Sequence, residues 1–190
     1  VITIDPKGSK DLVWWPRDNN QEIIYPSPDV SKSDFLSKVN DKLSQVLQLV
    51  YIRQSEYLKS HDNINKQFPP VVVTIDELSA LTTGANKRIV DSFFSLLQTI
   101  TLLARESNVH LILISQELDA KTIPTSVRSQ CNLRILMGLV NSKSCQYLFP
   151  DYDVSSIVVP SGVATGIIQK INSNDVPAIT PFLAPTVKGW

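Results

Sequence analysis

The sequence predicts an α/β fold in which a mostly parallel β-sheet is flanked by helices. Two continuous apolar runs, at 71–75 and 111–115, are typical of strands buried on both faces. Longer segments with apolar residues three and four positions apart lie before and between these runs, which is the pattern of amphipathic helices. Because strands and helices alternate along the chain, we expect parallel strands joined by helical crossovers in one domain.

The first part of the chain begins with a predicted strand at 1–5, which ends where proline and glycine follow the apolar run. Residues 11–30 contain two tryptophans and three prolines and are predicted as a non-helical connection. A long amphipathic helix is predicted over 33–60, with Ser31 or Ser33 as its N-cap.

The second part of the chain continues the alternation. A helix is predicted over 87–107, and a strand follows it at 110–115. A short apolar run at 133–136 predicts another strand, and residues 142–148 predict a short helix. Residues 157–171 include two glycines and a Pro-Ser-Gly sequence and are predicted as a β-hairpin.

Composition limits the kinds of function. The chain has 190 residues, 43% of them hydrophobic, with 18 basic and 18 acidic residues, which argues against a general polyanion-binding surface but leaves room for a local basic loop. Its two cysteines are too few for a disulfide framework and lack metal-ligand spacing, so buried thiols in a reducing compartment are expected. No apolar run approaches the about 20 residues that span a bilayer. The chain begins inside an apparent strand without an initiator methionine, so we expect a piece of a longer protein.

Two adjacent acids, Asp76 and Glu77, directly follow the apolar run at 71–75. The carboxyl ends of parallel strands are where α/β sheets bind ligands. In nucleoside triphosphatases one acid at this position orders Mg²⁺ and the next polarises the attacking water, because phosphoryl transfer depends on positioning and charge neutralisation. An acidic start of a helix, favoured by the helix dipole, is the alternative interpretation.

Polar residues also follow the other two predicted strands of the sheet. Gln116 comes directly after 111–115, where its amide could sense a γ-phosphate or orient water, or could simply face solvent. The Asp5-Pro6-Lys7-Gly8 turn would aim Lys7 across the same edge of the sheet. There the lysine could meet a phosphate or the Asp76 carboxylate, although a solvated turn lysine is the commoner case.

The sequences ITIDPKG, VVVTIDEL and HLILISQ, in this order, resemble the motor domain of the FtsK/SpoIIIE family and related conjugative coupling proteins. The resemblance extends from residue 1 to about residue 170 and includes the later sequence VPSGVATG. It implies a RecA-like P-loop NTPase core with a C-terminal β-hairpin, acting as a hexameric ATPase that uses ATP and Mg²⁺ to pump double-stranded DNA. On this basis residues 1–175 are a partial motor domain and residues 176–190 an extended C-terminal tail.

The same resemblance implies roles for the residues at the sheet edge. Asp76 would be the Walker B acid that binds Mg²⁺, Glu77 the catalytic base and Gln116 the sensor of the γ-phosphate. Asp5 and Lys7 would lie on the nucleotide-binding side of the site.

Three basic residues receive roles by the same resemblance. Lys87 and Arg88 fall where these motors have a pore loop that touches DNA, and two adjacent cations suit contact with the phosphate backbone. An exposed helix start is the alternative for this pair. Arg53, near the end of the first long helix, is the candidate arginine finger.

One motif of the family is missing. The sequence contains no G-x-x-x-x-G-K-[ST], the loop whose amides and lysine hold the phosphates, and in the family this loop and its Walker A strand lie upstream of the strand that here begins at Val1. We therefore expect negligible ATP hydrolysis by this chain alone. Without the Walker A strand, the strand at 111–115 would have an unpaired apolar edge, which the strand at 133–137 or another chain is expected to cover.

The predicted function is the C-terminal part of an ATP-driven double-stranded DNA translocase for DNA segregation or conjugative transfer. The resemblance implies self-association into a ring, a cytoplasmic location, and contact with a membrane only through other domains of a longer protein. A protein-secretion ATPase of the same family is one alternative. A non-catalytic interaction module that keeps the fold is the other.

Overall fold

A computed structural model describes most of the chain, namely residues 1–59, 67–138, 142–153, 162–171 and 178–185. The chain divides into two compact units, residues 1–116 and residues 117–190. Within the described residues, no helix combines the length and apolarity needed to cross a membrane.

The first unit contains a four-stranded, all-parallel sheet flanked by helices, in the strand order β2-β1-β3-β4. The strands are β1 (Ile2–Ile4), β2 (Glu22–Ile24), β3 (Val71–Ile75) and β4 (Val109–Leu113). The helices are α1 (Lys10–Asp18), α2 (Lys32–Lys59), α3 (Leu78–Thr82) and α4 (Lys87–Leu103). The predicted parallel sheet and both long helices are confirmed.

The core of the first unit forms because apolar residues from the strands and the helices are buried together. Val73 and Ile75 of β3 are fully buried, as are Leu43 of α2 and Leu97 of α4. Polar contacts connect the two long helices at their edges; Asn40 of α2, for example, donates through Nδ2 to a main-chain oxygen of α4 at 3.0 Å. This packing holds β3 in the interior of the sheet and fixes the position of its carboxyl end.

The second unit contains a three-stranded antiparallel sheet in the order β5-β6-β7. Its elements are α5 (Thr125–Arg128), β5 (Leu133–Met137), α6 (Ser142–Leu148), β6 (Thr165–Lys170) and β7 (Ala178–Leu183). At Gly166 of β6 a Cβ atom would lie 2.4 Å from the Leu136 carbonyl oxygen and 2.8 Å from the Phe182 ring, so only glycine fits there.

Two parts of residues 11–30 differ from the non-helical connection predicted for them. The region contains α1, because Gly8 (φ +65°) turns the chain out of β1 and the Ser9 carbonyl accepts the first helical hydrogen bond, from Val13 N (3.0 Å). It also contains β2, which is only three residues long and is held by parallel pairing with β1.

The C-terminal hairpin is present but lies later in the chain than predicted. β6 pairs with β7, so residues 178–183 of the predicted tail form an edge strand of a sheet. Pro181 is tolerated there because an edge strand does not need every N–H group for pairing. The first part of the hairpin predicted at 157–171 lies outside the described residues.

β4 is at one edge of the first sheet, and among the described residues β3 is its only strand partner. Of the two ways in which this edge was expected to be covered, pairing with residues 133–137 is not found, because those residues form β5 and pair with β6. Pairing with another chain stays a prediction. Ile112 of β4 and Ile114, just after it, remain 48% and 44% exposed.

Candidate functional site

The carboxyl ends of β1, β3 and β4 bring the predicted site residues of the sheet edge together. Ile4 is the register partner of Ile75, so Asp5 and Asp76 follow paired positions, and Asp76 N donates to the Ile4 carbonyl (2.9 Å). On the other side Ile114 N donates to the Ile75 carbonyl (2.9 Å). The polar residues that follow these three strands therefore lie at one edge of the sheet, as the parallel topology requires.

Asp5 is fully buried and shapes the turn that follows β1. Its carboxylate accepts hydrogen bonds from Lys7 N (2.9 Å) and from the main-chain N and the hydroxyl of Ser9. These bonds satisfy the carboxylate from within its own loop and direct the Lys7 side chain across the sheet edge. Asp5 therefore contributes negative charge and loop geometry to the site.

Glu77 is 4% exposed, and its carboxylate is surrounded by donors. It accepts from Ser79 Oγ (2.6 Å), from Lys7 Nζ (3.3 Å) and from Gln116 N (3.3 Å). Burial by itself raises the pKa of Glu77, but these hydrogen bonds and the Lys7 charge outweigh it and hold the pKa below the usual glutamate value. The carboxylate is thus kept ionised, as a base that accepts a proton from water must be.

The backbone of Glu77 is strained. Its φ of 47° and ψ of 71° place a non-glycine residue in the left-handed region, which is costly and is enriched at functional sites. This conformation turns the chain at the N-cap of α3, two residues after β3 ends. It turns the Glu77 carboxylate toward the end of β4, where Ser115 Oγ lies 3.5 Å from it.

The environment of Asp76 shifts its pKa in the direction opposite to that of Glu77. Burial, followed by the negative charges of Asp5 and Glu77, raises the pKa of Asp76, and only the Lys7 charge and a main-chain hydrogen bond oppose this shift. Three carboxyl groups and one ammonium meet here, so a bound cation would relieve the repulsion.

The donor set fits Mg²⁺, which binds through one or two carboxylates together with waters and phosphate oxygens. Among the described residues, no cluster of three or more His, Cys, Asp or Glu side chains is arranged to hold a metal alone. Asp76 is accordingly the residue that would hold the ion jointly with a nucleotide.

Two of the predicted residues at this edge are placed differently from the simplest expectation. Lys7 forms an ion pair with Glu77 (3.3 Å), a partner that was not among those considered for it, namely a phosphate, Asp76 or solvent. Gln116 contacts Glu77 through its main-chain N, and its side chain is exposed. The role of the Gln116 amide as a sensor stays a prediction.

The candidate arginine finger, Arg53, is placed in the interior of the first unit. It is 7% exposed, its Nη1 donates to the Ser107 carbonyl (2.7 Å), and its guanidinium carbon lies 5.1 Å from the centre of the Phe68 ring. A trans-acting arginine has to reach a neighbouring subunit, so this placement gives the arginine-finger prediction no support and indicates a packing role.

Lys87 and Arg88 are the first two residues of α4 and are exposed. Asn86 caps the helix by accepting from Arg88 N through its side chain (2.9 Å), and Gly84 (φ +81°) turns the chain before it. No hydrogen bond or ion pair among the described residues connects these two cations to the acids at the sheet edge.

Two residues were not predicted from the sequence: Ser79, which contacts the acids at the sheet edge, and Lys32, which contacts the loop before α4. Ser79 has a local signal, because a hydroxyl two residues after an acid can bond back to it, as happens here with Glu77. Lys32 has no such signal; its Nζ donates to the Thr83 carbonyl (3.0 Å), 51 positions away along the chain.

No protein-family model and no curated protein sequence matches the chain. Solved structures do match its fold. The pCW3 conjugation coupling protein TcpA, in a monomer form with ATPγS, is 18% identical, with a TM-score of 0.62 over 93% of this chain and 50% of that chain.

Two further ATPase structures match the fold of the chain. The cytoplasmic domain of the type VII secretion ATPase EccC of Thermomonospora curvata is 17% identical, with a TM-score of 0.63 over 99% of this chain and 22% of that one. EssC (ATPases 2 and 3) of Geobacillus thermodenitrificans is 12% identical, with a TM-score of 0.57 over 99% and 34%. The chain spans half or less of each of these structures. The resemblance deduced from the sequence motifs is therefore confirmed for the fold: the chain has the fold of these ATPase domains.

Proposed function

We propose that the chain is part of an ATP-driven motor that moves double-stranded DNA. The observation that carries the proposal is the pair of adjacent acids after β3, in which the environment raises the pKa of Asp76 and lowers that of Glu77. Two titratable groups with opposite shifts at one ligand-binding edge are the pattern expected of a catalytic site. The shared fold with nucleotide-dependent ATPases supports the same assignment.

The two acids have separate tasks in this proposal. Asp76, which lies near the negative charges of Asp5 and Glu77, would hold Mg²⁺ beside the nucleotide. The bound ion would neutralise charge on the phosphate oxygens. Glu77, ionised and fixed by Ser79 and Lys7, would accept a proton from the attacking water. Gln116 would orient that water or sense the terminal phosphate.

The chain would act together with a phosphate-binding loop that its sequence does not contain. Alone, it would hold no triphosphate tightly enough for turnover. We expect the active form to be a ring of several copies of the complete protein in the cytoplasm, with Lys87 and Arg88 contacting the DNA backbone.

ATPase measurements on the intact protein that contains this chain test the proposal. Double-stranded DNA should stimulate hydrolysis, and Glu77→Gln should lower kcat at least about 100-fold while leaving ATP binding nearly unchanged, because general-base catalysis contributes a factor of this order. A Glu77→Gln protein with unchanged turnover would refute the assigned base.

A protein-secretion motor is the second candidate, because EccC is named a type VII secretion ATPase and has the same fold over 99% of this chain. The same ATPase measurement separates the candidates. Hydrolysis that is lost in Glu77→Gln but is indifferent to double-stranded DNA would favour secretion over DNA transport.

A further inference from the structure

The loop between α3 and α4, residues 83–86, is held at both ends by two consecutive residues of α2. Lys32 Nζ donates to the Thr83 carbonyl (3.0 Å), and Ser33 Oγ accepts from Asn86 N (3.0 Å). These contacts join segments about fifty residues apart in the chain. They fix the loop immediately before Lys87, so the start of α2 determines how the basic end of α4 is presented.

Lys32 also adds a charge to this surface. Lys32, Lys87 and Arg88 are exposed, and no ion pair among the described residues involves any of them. The first turn of α4 contains no acid, although cations are disfavoured at the positive end of a helix dipole. Lys87 and Arg88 lower the stability of α4 in this way, and Lys32 is likewise the first residue of its helix, although Asp34 follows in the same turn. Cations kept at these positions indicate a negatively charged partner.

We propose that Lys32 is a third phosphate-contacting residue and the positioning residue of the 83–86 loop, in one nucleic-acid-binding surface with Lys87 and Arg88. The inference rests on the proposed function for its partner, the backbone of double-stranded DNA. A lysine ammonium has three N–H donors, and the Thr83 carbonyl occupies one of them. The other two remain available for a phosphate oxygen, so one side chain both holds the loop and contacts the ligand.

The salt dependence of DNA binding by the chain measures the charge contribution. A fluorescent double-stranded oligonucleotide is titrated with the chain at 50–200 mM salt, and log K is plotted against log[salt]. Because each lost phosphate contact changes this slope by about 0.9, Lys32→Ala should make the slope shallower by about that amount. Lys38→Ala is the matched control, since Lys38 is an exposed lysine further along α2.

The positioning contribution has a readout that needs no DNA. In ¹H–¹⁵N spectra of the free chain, Lys32→Ala should shift the amide signals of Gly84 and Asn86, and Lys38→Ala should not. Ser33→Ala should shift the Asn86 amide signal, but it should change the slope of log K against log[salt] by less than the about 0.9 expected for one phosphate contact. Lys32→Arg keeps the charge and a donor and should restore most of the slope.

The outcomes separate this inference from the proposed function. The double variant Lys87→Ala, Arg88→Ala reports on the proposed DNA contact and should make the slope shallower by about 1.8, twice the value for one contact. If the double variant does so and Lys32→Ala behaves like Lys38→Ala, the role of Lys32 is overturned and the DNA contact stands. If neither changes the slope, or if the chain does not bind the oligonucleotide, the proposed DNA contact fails and the phosphate role of Lys32 fails with it. The amide shifts then still decide whether Lys32 positions the loop.

Discussion

The candidate active site gives opposite protonation tendencies to two residues that are adjacent in the chain. Desolvation and the neighbouring acids act on Asp76, whereas Glu77 is turned by its left-handed backbone toward Ser79, Lys7 and the end of β4. The sequence alone predicts that the acids, Lys7 and Gln116 meet at this edge, but it misses Ser79. It does not predict that the pKa of Asp76 is raised and that of Glu77 lowered, because the donors around Glu77 come from three separate segments.

At the residue scale, Asp76→Asn should stabilise the free chain at neutral pH. The folded-state pKa of Asp76 lies above its unfolded value, so its ionisation lowers stability as the pH rises through the folded pKa, and the penalty is absent below the unfolded pKa. Urea unfolding should show a gain of about 0.5–2 kcal/mol at pH 7 that disappears near pH 3. An equal gain at both pH values would contradict the electrostatic cause.

Ser79→Ala should raise the pKa of Glu77, because it removes the shortest hydrogen bond to the carboxylate (2.6 Å). A folded pKa held below the unfolded value contributes stability at neutral pH that is lost as the pH falls through the folded pKa. The variant should therefore lose about 1–2 kcal/mol at pH 7 and less at low pH. ¹³C NMR titration of the Glu77 carboxyl measures the pKa directly, and Ser115→Ala, which removes only a 3.5 Å contact, should shift it less.

At the scale of elements, the two long helices and the strand after them are joined by buried polar contacts as well as by apolar packing. Arg53 of α2 donates to the Ser107 carbonyl, and the Ser107 hydroxyl donates to the Val50 carbonyl of α2 at 3.3 Å. Ser107 lies between α4 and β4, and both of its partners are residues of α2, so these bonds fix where β4 starts. The register of β4 in turn sets where its carboxyl end meets Glu77.

Arg53→Ala should lower the free energy of unfolding by about 2–3 kcal/mol, because it leaves a buried carbonyl without its charged donor and removes the contact with Phe68. Urea denaturation measures the loss. The exposed Arg105 provides the control, and Arg105→Ala should change stability by less than about 0.5 kcal/mol. Equal stability of the two variants would show that the guanidinium of Arg53 is not held in the interior.

In the second unit, Gly166→Ala should destabilise the β5-β6-β7 sheet. The added Cβ would lie 2.4 Å from the Leu136 carbonyl, and a main-chain oxygen cannot move away without breaking the pairing of β5 with β6. Overpacking of this kind costs about 1–3 kcal/mol or more. At Gly138 nothing lies within 4 Å of the added Cβ, so Gly138→Ala, which meets only an unfavourable φ of +80°, should cost less. Thermal unfolding of the two variants makes the comparison.

At the scale of the whole molecule, sequence patterns predicted the elements whose signal lies within their own residues and missed those that depend on a partner. The pattern that predicts β3, β4, α2 and α4 lies within their own residues. It is a continuous apolar run in each strand, and apolar residues three and four positions apart in each helix. β2 and β7 exist because β1 and β6 pair with them, and α1 was hidden by prolines that were interpreted as breaks. The site followed from the parallel order of the strands, whereas the Lys32 contact with the 83–86 loop is purely tertiary.

The exposed edge of β4 predicts self-association of the isolated chain. Ile112 and Ile114 are about half exposed, and a long apolar edge is a template for pairing with another strand. In sedimentation velocity experiments the average mass should rise with concentration, and Ile112→Lys should hold the chain closer to the monomer, because a charged edge residue blocks strand pairing. Leu102→Lys places the same charge on an exposed apolar residue of a helix, α4, which offers no strand edge for pairing, and should have little effect. If both lysine variants suppress association equally, net charge is the cause; if only Ile112→Lys does, the edge of β4 is the surface through which the copies associate.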